Sequence, residues 1–456
     1  MGNIVIVTHW LDGDVIPFIR IGKELRKRGH KVTIITHCKF GETAKKAGLD
    51  FEAWDTPEEY ETLVEDMSLN KADSSSENNY SYSSSKFRQK YENTNRRMAE
   101  YEKIIKYCEE PNTAILCKNR SSIAAYMVAE KLGIPLATVM MNPMEVTSML
   151  MYEKLEGKND VDRLNTLRRK VDLSDISSWL QWESSAKMTL ALWPEWYDTE
   201  SDEWPSEIQN VGFPLEKGKE EVQRDIPAEF EKWIDKNPKP IVITGGTTKC
   251  IDNKFYSRSV AACGLAGYPT VVLTRYKELI PEELPSNVVW FDYLPLDKIL
   301  PQASLLIHHG GIGTLSGALA AGVPQLILPC YVDRPYNASL IKKLGAGDYL
   351  YVANWTPEKI AEKIEQVQLS NIRVKCKEYV HKMQENHGVT RAADFVEKLL
   401  TDKKYIYSLK KSSHLAIDDI SGSSNKNSEK PTRTVIKNLT DEQRRKLLIN
   451  LHKRQG

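Results

Sequence analysis

The segment Leu306–Tyr336, LIHHGGIGTLSGALAAGVPQLILPCYVDRPY, constrains this chain more than any other stretch. An apolar strand over Ser304–Ile307 runs into His308 and His309, and a turn carrying Gly310, Gly311 and Gly313 follows. Thr314 and Ser316 then open a helix. A second apolar strand, Gln325–Leu328, ends at Pro329 ahead of Asp333 and Arg334. Glycines let a backbone approach a ligand closely, and the free N–H groups of a helix start favour an anion. Hydroxyls add donors, and a histidine at the strand end adds a proton or a positive charge. These parts make a site for a diphosphate, with an acidic group one βα unit further on for something uncharged and hydroxylated. A nucleotide-sugar has that chemistry.

The rest of the chain repeats the strand–helix rhythm. NIVIVT reads as a buried strand, Pro17 falls in the first turn of a helix running to about Arg28, and KVTIIT is the next strand. AAYMVAEKLGIPLATVMM repeats helix then strand up to Met141. From about Asp66 to Arg96 the pattern gives way to DSSSENNYSYSSS and a charged stretch, expected as a surface loop with a helical end. After the polar stretch 210–222, PIVITGGTT, TVVLT, NVVWF, SLLIHH and QLILP follow as short apolar strands separated by helical stretches. Such alternation implies an α/β fold with parallel sheets covered on both faces, and ligands outside the carboxyl ends of the strands.

With 456 residues the chain can bury two cores. Its formal net charge of +1 gives no field to recruit nucleic acid or an anionic membrane. Seven scattered cysteines, none spaced as CxxC, read as reduced interior thiols of a cytoplasmic protein. No apolar run approaches the ~18 residues of a membrane span. The polar stretch 408–434 reads as a linker. The sequence LTDEQRRKLLINLHKR within 435–456 reads as an amphipathic helix, expected either to dock a synthase or carrier-protein partner, or else to fold against its own domain or stay a disordered tail.

HHGGIGT, ALAAGVPQLILP and the following Asp-Arg resemble the donor-binding signature of GT-B family 1 glycosyltransferases, the bacterial natural-product branch related to UDP-glucuronosyltransferases. The resemblance runs from Met1 to about Leu400. It implies two Rossmann-like doubly wound domains facing across a cleft: an acceptor domain over 1–210 and a nucleotide-sugar domain over 223–400. It also implies inverting transfer of a hexose from a UDP- or dTDP-sugar to a hydroxyl or amine of an apolar small molecule or lipopeptide. The donor is a co-substrate, and no cofactor or metal is expected.

Carried over residue by residue, the resemblance puts His309 on the donor α-phosphate and Gly311, Gly313 and Thr314 on the β-phosphate. Thr244, Gly246 and Thr247 form a second glycine turn beside the diphosphate. Asp333 accepts from the sugar hydroxyls, and Tyr293 lies near the base. His308 points to the other strand face and reads as structural. Two positions depart from the pattern. Gly317 stands where many relatives carry Glu or Gln for the ribose, leaving that contact to Ser316 or backbone. Arg334 replaces a usual Gln and could favour an acidic sugar or pair with a carboxylate.

Inverting transfer requires one general base. In THWLDGDVIPF the resemblance nominates Asp14, with His9 and Asp12 as further candidates. Asp14 also reads as an N-cap for a helix beginning at Val15. Asp12-Gly13-Asp14 spells a DxD motif, but its place before a helix far from the phosphate turn makes it coincidental. Met140, Met141, Met144, Met149 and Met151 read equally as an acceptor pocket or as core, and the Trp193–Trp204 segment as hinge packing. Two competing functions remain on sequence grounds: a GT-B-like nucleotide-sugar epimerase, and a catalytically degenerate helper or binding subunit.

Overall fold

A computed structural model describes residues 1–72, 85–198, 208–215, 226–247, 249, 251–330 and 332–405. The expected linker over 408–434, the terminal helix over 435–456 and the Ser/Asn-rich stretch 73–84 lie outside them.

The described strands form two all-parallel sheets. The first contains β1 (Asn3–Val7), β2 (Lys31–Thr36), β3 (Asp50–Ala53), β4 (Thr113–Lys118), β5 (Leu136–Met140), β6 (Met188–Ala191) and β7 (Ile208–Asn210). The second contains β8 (Ile241–Thr244), β9 (Thr270–Leu273), β10 (Val288–Phe291), β11 (Leu305–His308), β12 (Gln325–Ile327) and β13 (Gly347–Tyr349). Every residue of β1, β4, β5, β8 and β11 is buried, the mark of central parallel strands with helices on both faces.

Strand order positions the site. The first sheet runs β3-β2-β1-β4-β5-β6-β7 and the second β10-β9-β8-β11-β12-β13. Each order reverses once, between β1 and β4 and between β8 and β11. Open parallel sheets bind ligands at the carboxyl ends of strands flanking such a reversal. Two switch points therefore define the two walls of one cleft.

Three sequence readings are revised. The first helix spans Asp12–Lys27, so it starts before Val15 and holds Pro17 in its interior. Trp10 takes φ 86°, which turns the chain sharply after β1 and makes Leu11 the cap. Pro17 is tolerated because the carbonyl its ring crowds belongs to Gly13, four residues back and exposed. Beyond Asp66, the helix Pro57–Ala72 continues where a loop was expected, and the helix Ser85–Tyr91 stands at the expected helical end. Of the methionines, Met140, Met141 and Met149 are buried core, whereas Met151 is exposed.

The chain crosses between the sheets twice, and the crossings touch. Asn386 clamps the Phe213 backbone, accepting from its N–H at 2.8 Å and donating to its carbonyl at 2.7 Å. Gly388 packs so closely on the Gly212 and Phe213 carbonyls that a side chain there would overlap them. The helix Gly388–Thr401 then returns to the first sheet, where Ala392, Ala393, Val396 and Leu399 share a core with Ile4 and Phe18. Arg28 pairs with Asp394 and Glu397 at 2.7 and 2.8 Å and fixes that seat. The aromatic segment packs at this junction: Trp196 lies 5.3 Å from Tyr379, and Tyr197 lies 5.1 Å from Phe213.

Candidate active site

The phosphate wall is built from two glycine turns held side by side, because His308 of β11 pairs in register with Thr244 of β8. Gly246 takes φ +89° and Gly310 φ +95°, conformations that other residues adopt only under strain. Between the turns stands the His309 imidazole. A Cβ on Gly246 would lie 2.8 Å from its Cε1, and one on Gly311 would overlap its Nε2. Glycine at both positions is what lets the ring occupy the turn. The Tyr256 hydroxyl accepts from the Gly245 N–H at 2.8 Å and anchors the β8 turn from behind. Gly311 caps the helix Ile312–Ala321 with extended backbone, so the first-turn amides gather at the same spot. Gly313 is exposed, with nothing within 4 Å of where its Cβ would be.

His308 faces away. Its Nδ1 accepts from the Gly310 N–H at 3.2 Å, which leaves Nε2 to donate to Gln325 Oε1 at 3.0 Å. Burial pulls its pKa down to about 4, so it stays neutral. His308→Ala should therefore destabilise the protein by about 2 kcal/mol, because it strands a buried amide and frees the turn. Urea unfolding would measure this.

Asp333 precedes the helix Arg334–Lys343 but does not cap it through its side chain. Its Oδ2 accepts from Asn337 Nδ2 at 2.9 Å, and the same amide donates to the Gly310 carbonyl at 3.0 Å. Asn337 thus ties the acid meant for the sugar to the turn meant for the phosphates. Desolvation raises the Asp333 pKa, the Arg334 charge opposes that, and Asp14 adds to the rise. The two carboxyls, one from each sheet, therefore lie within electrostatic reach across the cleft.

The remaining donor candidates divide. Thr244 is buried and its hydroxyl accepts from the Gly246 N–H at 3.3 Å, so it shapes the turn. Thr247 reaches across the cleft, its hydroxyl donating to Asp12 Oδ2 at 3.0 Å. Thr314 and Tyr293 are half-buried, and Tyr293 belongs to no core cluster. Ser316 is buried and donates to the Gly313 carbonyl within its own helix, so its hydroxyl is not presented to the cleft. A Cβ on Gly317 would meet only Leu300 Cδ1, at an ordinary contact distance of 4.0 Å. The Arg334 guanidinium lies 3.4 Å from Cys330 Sγ.

On the opposite wall Asp14 occupies the third position of the first helix, with its side chain 29 % exposed. Its Oδ2 is 3.4 Å from the Leu11 N–H, and its Oδ1 is 3.4 Å from Lys118 Nζ at the end of β4. Glu145 lies within electrostatic reach of Lys118, and burial together with the Asp14 charge pushes its carboxyl up to about 7 against the Lys118 charge. His9 is enclosed instead: it stacks on Trp54 at 5.0 Å and sets Nε2 3.3 Å from Glu100. Burial lowers its pKa, so it is a neutral ring packed under the cleft floor. Asp12 is bound by Lys39 at 2.9 Å. Sequence reasoning missed Lys118, Glu145 and Asn337. A lysine closing the buried strand TAILCK was the available signal for the first.

Two family models match the chain: the N-terminal domain of glycosyltransferase family 28 over residues 12–151, and the C-terminal domain of erythromycin biosynthesis protein CIII-like proteins over 270–388. Together they cover more than half of it, one on each wall of the cleft. The chain belongs to the GT-B family 1 glycosyltransferases. It is 24 % identical over 443 residues to a sterol 3-beta-glucosyltransferase of Candida albicans, covering 88 % of this chain but 28 % of that one. A sterol 3-beta-glucosyltransferase of Arabidopsis thaliana is 25 % identical, with 86 % and 67 % covered. The aclacinomycin-T 2-deoxy-L-fucose transferase of Streptomyces galilaeus is 46 % identical over 96 residues, 21 % of this chain and 22 % of that one. The chain thus spans only about a quarter to a third of several of the fungal relatives it matches. Among solved structures, the glycotransferase of kitacinnamycin superposes with TM-score 0.65 at 19 % identity, covering 87 % of this chain and 99 % of that one. VinC in complex with dTDP superposes with TM-score 0.61 at 17 % identity, with 87 % and 99 % covered. No helix among the described residues is long and apolar enough to cross a membrane.

Proposed function

We propose that this protein transfers a hexose, with inversion, from a UDP- or dTDP-sugar to a hydroxyl of an apolar small molecule in the cytoplasm. The observation that carries the reading is the pairing of a half-exposed carboxylate, Asp14, with two glycine turns that enclose His309 on the facing wall. In one in-line displacement the acceptor oxygen attacks the anomeric carbon while its proton passes to Asp14. The C1–O bond to the diphosphate breaks on the opposite side of the sugar. His309 and the first-turn amides of the helix Ile312–Ala321 meet the negative charge growing on the leaving group. Asp333, held by Asn337, accepts from the sugar hydroxyls. A sterol-like or polycyclic acceptor fits the relatives, which act on sterols or on aclacinomycin by their names.

The reading includes metal-independent transfer. Lysine ammonium groups already stand against both carboxylates of the DGD segment, Lys39 on Asp12 and Lys118 on Asp14. Turnover should persist in EDTA.

The test begins with thermal unfolding in the presence of UDP-, dTDP- and GDP-sugars, since a donor that binds the folded state raises its stability. The best donor is then incubated with cholesterol or an anthracycline aglycone, and the product's anomeric configuration is read by NMR. A product that retains the donor configuration would exclude the single displacement. UDP-GlcNAc epimerised without acceptor would favour an epimerase instead.

A further inference from the structure

Lys118 is the last residue of β4, the strand across the switch point from β1, and its side chain is 11 % exposed. A lysine so enclosed is costly unless charge partners meet it. Two do. Asp14 Oδ1 stands 3.4 Å from its ammonium on the cleft side, and Glu145 lies within electrostatic reach in the first turn of the helix Met144–Lys170. Glu145 is itself held down, its Oε2 accepting from the Met141 N–H and its Oε1 from Asn142 Nδ2, both at 3.3 Å. The chain thus brings three ionisable side chains from three elements within electrostatic reach of one another at the cleft.

We propose that Lys118 is the positioning residue of the catalytic base, its ammonium fixing the Asp14 carboxylate so that one oxygen is tied inward while the group opens onto the acceptor. Glu145 holds Lys118 through its charge. The inference rests on the reading of Asp14 as base. Two further features support it. Burial alone would discharge the ammonium, but the Asp14 and Glu145 charges raise its pKa against burial and the Arg120 charge, so the cation persists. The Leu11 N–H lies 3.4 Å from Asp14 Oδ2, a second contact that limits how the carboxylate can turn. Lys118 neither gains nor loses a proton in the reaction. The acceptor proton goes to Asp14, the new bond forms from the acceptor oxygen to C1, and the electron pair of the broken C1–O bond leaves with the diphosphate.

Lys118→Met, Lys118→Arg and Asp14→Asn proteins would be compared in full-length form, with UDP-glucose or dTDP-glucose and cholesterol, alongside calorimetric titration with UDP and dTDP. Lys118→Met should lower kcat on the order of 100-fold, the scale of an ångström of misplacement at a reacting group. Nucleotide affinity and donor KM should be unchanged, and Lys118→Arg should recover most of the loss. Wild-type kcat in Lys118→Met beside an inactive Asp14→Asn protein would overturn the positioning role and leave the base reading standing. Full turnover by Asp14→Asn would overturn the base reading itself. A fall in kcat matched by an equal fall in nucleotide affinity, or an Arg protein no faster than the Met protein, would also overturn the positioning role. If Lys118→Met fails to fold, Lys118→Arg and Glu145→Gln decide: a folded Arg protein as slow as Asp14→Asn, or Glu145→Gln at full kcat, rejects the charge cluster.

Discussion

Asp14→Asn should lower kcat by about three orders of magnitude while nucleotide affinity stays within error, as measured by steady-state kinetics and calorimetry. The expectation follows from what Asn preserves and what it removes. Its side chain keeps the size of the carboxylate, and its one carbonyl oxygen can still meet either the Leu11 N–H or Lys118, which the carboxylate meets with different oxygens. The helix start is therefore retained. The negative charge and the capacity to take a proton are lost. The proposed donor site lies on the other sheet, so binding of UDP or dTDP has no reason to change. His9→Ala is the control. That ring is sealed between Trp54 and Glu100, so its removal should lower thermal stability and leave the shape of the rate profile alone.

His309→Ala should lower kcat by about 100- to 1,000-fold and weaken donor binding less, the pattern of a donor that acts mainly on charge developing in the transition state. The stronger test is Gly311→Ala, which leaves the imidazole in the protein. The added methyl would overlap Nε2, so the ring must leave its place between the turns. Gly311→Ala should then reproduce the kinetic loss of His309→Ala, and the double variant should be little worse than either. Additive losses would show that ring and turn act separately, and normal kcat in Gly311→Ala would remove His309 from the mechanism.

The candidate donor wall stood out in the sequence because its parts are adjacent along the chain. Strand, glycine turn, helix start and acid all fall between Ser304 and Arg334, and the local chemistry of glycine and helix termini fixes their meaning. The opposite wall was legible only in part. Asp14 stood out by its segment, but Lys118 acquires its role from Asp14, about a hundred residues away along the chain, and Glu145 from Lys118 on another element. No local pattern encodes that. Asn337 is similar: it reads as an ordinary helix residue until the fold sets its amide against Gly310 and Asp333. The misplaced start of the first helix has a different cause. Trp10 adopts a backbone conformation that few non-glycine residues take, so Asp14 read as a cap when it lies a turn inside.

The side-by-side passages at Gly212–Phe213 and Asn386–Gly388 bear on how the enzyme moves. A single tether would let the two halves tumble freely. Two pivots pinned to each other permit a swing about one line and forbid sliding or twisting. Such a swing changes the gap between Asp14 and Asp333 while each wall keeps its internal geometry. Under the proposed transfer, such a swing would let substrates enter and products leave with each wall intact.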